Sequence, residues 1–196
     1  MEGTIRLGYK WLPFRAEQVL APPRGFVWRA VVRSGLMRMS GADHYAAGRG
    51  GVDFWLWGII PVVRASSPDT SRAARGRLAA ESFWLPSSLL PGEHVRWRPV
   101  DDDTAEVVLN LDAEEIPVRL TVDGEGRVKS VQMQRWGDQT EDKSFALIPF
   151  GGSLSEERRF GDYTIPTQVS VGWWYGTEKF SNHEFFRATV TAAEFR

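Results

Sequence analysis

With three histidines, no cysteine and carboxylates scattered along 196 residues, the chain has few ways to assemble reactive chemistry. Nucleophilic hydrolysis needs a serine on a strained turn with a histidine in reach, and no Gly-x-Ser-x-Gly occurs. Ser87 and Ser88 with His94 come nearest, but paired serines after Pro86 read as turn residues. Asp43-His44 and His183-Glu184 are neighbours whose side chains point to opposite faces of a strand, which makes them poor chelators. No metal site, catalytic residue or cofactor is expected from these patterns. Gly48-Arg49-Gly50-Gly51 lacks the Lys-Ser/Thr ending and following helix of a phosphate loop. Arg96-Trp97-Arg98 places two cations on one strand face. That alone is a weak basis for nucleic-acid binding in a chain whose 24 basic and 25 acidic residues leave a net charge of −1.

The remaining candidates are polar groups set among aromatics. Arg77 and Glu81 stand one helical turn apart, so they either satisfy each other under a helix or orient the headgroup of a ligand. Glu17 and Glu81 are a carboxylate pair that could serve acid and base work. Nine Trp, eleven Phe and four Tyr supply rings that each bury about 150 to 250 Å². Trp28, Trp84, Trp97 and Trp173 are candidates for a cavity wall, or for plain core.

Alternation of apolar and polar residues defines the elements that must hold these groups. Ile5, Leu7, Tyr9 and Trp11 share one strand face; Phe14, Ala16, Gln18 and Leu20 share another; Phe26, Trp28, Ala30 and Val32 form a third set. Leu36–Tyr45 and Val52–Val63 read as further strands, making about five before any helix. The helix is predicted over about 68–85, with Ser67 as cap, Pro68 at the first position and Pro86 as terminator. Gly76 weakens it by about 1 kcal/mol relative to Ala, so packing must hold it. The β pattern then resumes, with Asp123-Gly124-Glu125-Gly126 as the clearest hairpin signal.

The sum is a mainly β chain, one domain over 1–196: a curved antiparallel sheet or incomplete barrel of about ten strands, with the helix packed on its concave face. No stretch has signal-peptide character or the length of a membrane span, so the chain as written is expected to be cytoplasmic. Without a bulk field, any anionic lipid or nucleic-acid partner would need a local patch.

Trp11, Phe14, Ala16-Glu17-Gln18, Gly25-Phe26, Trp28, Ala30, Asp43, Tyr45, Gly48 and Gly50 occur in an order that resembles a bacterial family of unknown function. Arg77, Glu81, Trp84, Pro86, Leu90-Pro91, Pro149-Phe150-Gly151 and Gly172-Trp173 continue the likeness over nearly the whole chain. Members of that family often carry an extra N-terminal stretch, from which this chain departs. The resemblance carries no established activity, so no residue inherits a role from it. The layout is also similar to the half-barrel of bacterial lipoprotein carriers, a fold-level analogy that implies shelter for acyl chains.

Three functions follow as expectations. The first is non-enzymatic binding of an apolar or amphipathic, lipid-like small molecule between sheet and helix, with Arg77 and Glu81 at its polar end and Trp28, Trp84, Trp97 and Trp173 around it. The second is an enzyme using Glu17 or Glu81 as a general base. The third is an interaction module with a contiguous exposed apolar patch.

Overall fold

The computed structural model describes residues 1–196. Six strands precede the helix: β1 (Glu2–Leu7), β2 (Lys10–Ala21), β3 (Gly25–Ser34), β4 (Met37–Ala46), β5 (Arg49–Leu56) and β6 (Ile60–Ala65). Helix α1 (Pro68–Glu81) and two short 3-10 turns (Ser82–Trp84 and Pro86–Leu89) follow. Seven more strands complete the chain: β7 (Val95–Pro99), β8 (Thr104–Leu111), β9 (Glu114–Val122), β10 (Val128–Gly137), β11 (Ala146–Phe160), β12 (Tyr163–Trp173) and β13 (Glu184–Thr189).

All thirteen join one antiparallel sheet in the order β6-β5-β4-β3-β2-β1-β13-β12-β11-β10-β9-β8-β7. Each strand pairs with its neighbour in the chain, and β1 closes on β13 in the middle. The two edges, β6 and β7, stay unpaired with each other, so the sheet is a half-barrel and not a closed one. Helix α1 is the segment that carries the chain from one edge to the other. It crosses the concave face, packing mainly against β5, β10 and β4.

The strand count is higher than about ten, and one reason is local. Val52–Val63 reads as one apolar strand, but the chain turns at Trp57-Gly58-Ile59 and makes β5 and β6 of it. The predicted helix also ends sooner. Regular α-helix stops at Glu81, and Ser82–Trp84 tighten into 3-10 geometry before Pro86. Its start agrees with the sequence: the Ser67 hydroxyl accepts the Thr70 amide at 3.0 Å, satisfying one of the free donors of the first turn.

Two glycines set how closely the helix sits. A Cβ on Gly50 would lie 2.6 Å from the Ala74 Cβ and 2.9 Å from the Ser71 Cα. A Cβ on Gly76 would lie 3.1 Å from the Cγ of Arg135 on β10. The glycines of β5 and α1 therefore let strand and helix approach from either side. Ala74, Leu78, Ala79 and Ala80 bury that side of the helix in a core with Phe14, Phe26, Trp28, Phe54, Val118, Val131 and Phe150. Polar contacts clasp the helix: Trp136 Nε1 donates to Asp69 at 2.8 Å, and Arg72 and Arg75 both bond Glu114; Tyr45 of β4 donates to Asp112 in the β8–β9 turn.

Candidate functional site

Beneath the helix lies a charged cluster built from four elements. Arg77 on α1 donates from Nη1 to Asp43 of β4 at 2.6 Å and from Nε to Glu81, one turn on, at 2.7 Å. Gln18 of β2 donates to the other Glu81 oxygen at 2.6 Å. The Arg77 guanidinium also stacks over Phe26 and Trp28, with its carbon 4.8 and 5.1 Å from the ring centres. Burial works against this cation, but Glu81 and Asp43 more than compensate, and its pKa is raised.

A second arginine shares the space without sharing the partners. Arg135 of β10 donates from Nε to the Ala73 carbonyl at 3.2 Å. Its guanidinium lies between rings, 4.5 Å from the centre of Phe150 and 5.1 Å from that of Trp173. It forms no ion pair with any carboxylate. Burial, and then the charge of Arg77, push its pKa down to about 10.

The six residues singled out from the sequence do not line one chamber. Trp28, Arg77 and Glu81 meet in the charged cluster. Trp28 is buried core, packed edge-on to Phe14 and Phe186, and its indole nitrogen has no partner. Trp173 belongs with Arg135 and covers Gly137, where a Cβ would lie 2.3 Å from the indole. Trp97 sits on edge strand β7 and donates to the Leu89 carbonyl at 2.8 Å, away from the cluster. Trp84, past the helix end, donates to the Pro166 carbonyl of β12 at 3.1 Å.

Trp84 lines a groove that comes from a notch in the sheet. β1 pairs with β2 only as far as Glu2 opposite Arg15, and Met1 adds a last bonded pair with Ala16. β13 likewise pairs β12 from Gln168 onward, with Val190 donating to Thr167 beyond it. The second half of β2 and the start of β12 therefore face a gap, bordered by residues 190–196. By antiparallel alternation, the main-chain groups of Gln18 and Leu20 point into that gap, as those of Ala16 point at Met1. The groove encloses about 1210 Å³ and is lined by Val19, Val31, Trp84, Leu85, Ile165 and Phe195 among others, with Arg24, Arg29 and Glu17 also lining it. Gln18 lines it too, and so joins the groove to the charged cluster through Glu81.

Neither glutamate is poised as a base. Glu17 is exposed, and both oxygens of Glu81 already accept hydrogen bonds. Ser88 bonds back to the Leu85 and Ser82 carbonyls, as a turn serine does.

The sequence profile described as Family of unknown function (DUF6544) matches residues 1–185. The chain belongs to that family. No curated protein and no solved structure matches it. No helix in the DUF6544 half-barrel is long and apolar enough to cross a membrane.

Three members of the site escaped the sequence reading. Gln18 and Arg135 occupy inward positions of alternating strands, Arg135 in step with Val131 and Met133, and a polar or charged residue at such a position is a usable signal. Asp43 shares a face with buried Tyr45 and could have been found in the same way. The notch had no local signal, because it arises from where β1 and β13 stop relative to β2 and β12.

Proposed function

We propose that this DUF6544 protein binds an amphipathic small molecule in the groove between the second half of β2 and residues 190–196. The observation that carries the reading is the groove itself: about 1210 Å³, with 14 of its 24 lining residues hydrophobic and charged residues among the others, above the ~300 to 1,000 Å³ usual for small-molecule pockets. Val19, Trp84, Leu85 and Ile165 supply apolar surface for a chain. Gln18, Arg29 and the free main-chain groups of Gln18 and Leu20 supply contacts for a polar end. Arg77 and Glu81 act indirectly, since their own pairing holds Gln18 at the groove wall. Binding without chemistry fits a site in which both oxygens of Glu81 are already hydrogen-bonded and Glu17 is exposed.

A titration with a fluorescent long-chain fatty acid tests this, alongside native mass measurement and solvent extraction of the purified protein. Saturable binding that weakens at least tenfold in Val19→Asp supports the reading; Val19 is 69% exposed, so the change puts a charge in the groove without disturbing the core. A native mass equal to the bare chain together with no fatty-acid binding removes it.

The unpaired edge of β2 favours a second reading, in which the same notch accepts an extended peptide by strand addition. Extraction separates the two, because a peptide and a lipid-like molecule differ in mass and in susceptibility to protease.

A further inference from the structure

Three neighbouring hairpins end on the same side of the sheet: β1–β2, β3–β4 and β5–β6. The first two have two-residue connections, Gly8-Tyr9 and Gly35-Leu36, each beginning with a glycine at positive φ, +62° and +56°. Such turns favour Gly first and a polar residue such as Asn, Asp or Ser second. Here the second residue is a large apolar one and it projects into solvent: Tyr9 is 97% exposed and Leu36 96%. The third tip, Trp57-Gly58-Ile59, repeats the pattern with Trp57 at 55% and Ile59 at 73%. Trp57 ties two tips together, donating from Nε1 to the Leu36 carbonyl at 3.0 Å and from its amide to the Arg38 carbonyl at 2.8 Å.

Charge frames these tips with one sign. Residues 5–12, 32–39 and 54–62 contain Arg6, Lys10, Arg33 and Arg38 and no Asp or Glu. Lys10, Arg33 and Arg38 are exposed, and no salt bridge engages them. The other connections at that end, 138–145 and 174–183, mix Lys143 and Lys179 with Asp138, Glu141, Asp142 and Glu178, so cations without acidic neighbours are a feature of the β1–β6 tips. Water gives no reason to put Tyr, Leu, Trp and Ile on turn tips, and a protein partner does not account for a rim of cations without counter-charges as directly as an anionic lipid surface does.

We infer that the three tips dock the protein peripherally on an anionic lipid bilayer. Tyr9, Leu36, Trp57 and Ile59 enter the headgroup and upper acyl region, while Lys10, Arg33 and Arg38 lie against the lipid phosphates. The net charge of −1 makes this a property of the patch and not of the whole molecule. The inference stands on a different end of the sheet from the groove and survives or fails independently of it.

Co-sedimentation with vesicles tests it, comparing phosphatidylcholine alone with a phosphatidylcholine and phosphatidylglycerol mixture at low and raised salt. The full chain is expected to bind the anionic vesicles, to release them as salt rises, and to bind neutral vesicles at least tenfold more weakly. The combined Tyr9→Ser, Leu36→Ser and Ile59→Ser variant is expected to lose at least tenfold in affinity with an unchanged circular dichroism spectrum. A second variant, Arg33→Gln with Arg38→Gln, is expected to lose the preference for anionic lipid. Failure of the full chain to bind anionic vesicles overturns the inference, as does undiminished binding by both variants. It is also overturned if the serine substitutions abolish a dimer in solution while vesicle binding is absent, because the patch would then join two copies of the chain.

Discussion

The guanidinium of Arg77, on α1, and that of Arg135, on the strand beneath it, are both buried, yet Arg77 holds two carboxylates, Asp43 and Glu81, and Arg135 holds none. The imbalance predicts that Arg135 is charged at a cost. Its pKa falls from 12.5 to about 10, which corresponds to roughly 3 kcal/mol of disfavoured charge at about 1.4 kcal/mol per unit. Two ring contacts recover about 1 to 2 kcal/mol. The hydrogen bond from Nε to the Ala73 carbonyl recovers about 1 kcal/mol more, so replacing Arg135 by Met, which keeps the stem against Gly76, is expected to raise stability by no more than about 1 kcal/mol. A shift of the urea midpoint to higher concentration checks this, and a shift to lower concentration would mean that the guanidinium is needed where it is.

Removing Arg77 should do the opposite. Arg77→Met leaves the Asp43 and Glu81 carboxylates part-buried beside aromatic rings without their cation, and about 3 to 5 kcal/mol of stability should be lost. Exposed pairs such as Arg15 with Glu2 should change stability by less than about 1 kcal/mol when broken. Thermal melts of the two variants side by side give the comparison.

How much of this cluster was readable from the sequence depends on whether the signal was periodic. The Arg77–Glu81 spacing and the alternation around Trp28 are local, and both led to groups that meet in the structure. Arg135 carried the same kind of signal, an arginine in step with Val131 and Met133, but a charge on the inward face of a strand is easily taken for an edge residue. The turn at Trp57 was hidden because apolar residues flank it on both sides, and hydrophobic patterning cannot mark a reversal that keeps its tip apolar. That tip composition is what makes the hairpin unusual. The groove was beyond any local pattern, since strand register, not residue type, sets where β1 and β13 lie along β2 and β12.

Helix closeness gives a paired prediction. Gly50→Ala drives a methyl into Ala74 and the Ser71 backbone and should cost about 2 kcal/mol by overpacking. Gly76→Ala should gain about 1 kcal/mol in an isolated helix, but its Cβ meets the Arg135 stem at 3.1 Å, which should cancel the gain. In an Arg135→Ala background the gain should return. Chemical denaturation of the four variants tests the coupling, and simple additivity of the two substitutions would show that the contact does not matter.

Alkaline stability should depend on Tyr45. Its ring is buried and its hydroxyl donates to the Asp112 carboxylate, so burial first, and then that hydrogen bond and negative charge, oppose phenolate formation despite Arg75 nearby. The pKa is pushed up from 10.0 to about 12, while the unfolded chain ionises near the ordinary value. The neutral phenol is thus the form that the fold prefers: its contribution is complete below about pH 10 and is lost as the pH rises through about 12. Tyr45→Phe should cost about 1 kcal/mol at neutral pH by removing the hydrogen bond. Between pH 10 and 12 the variant should decline less steeply than the natural chain, because the group that must ionise is gone. Urea midpoints measured at neutral pH and across that alkaline interval decide the matter, and parallel declines would assign the alkaline loss to other groups.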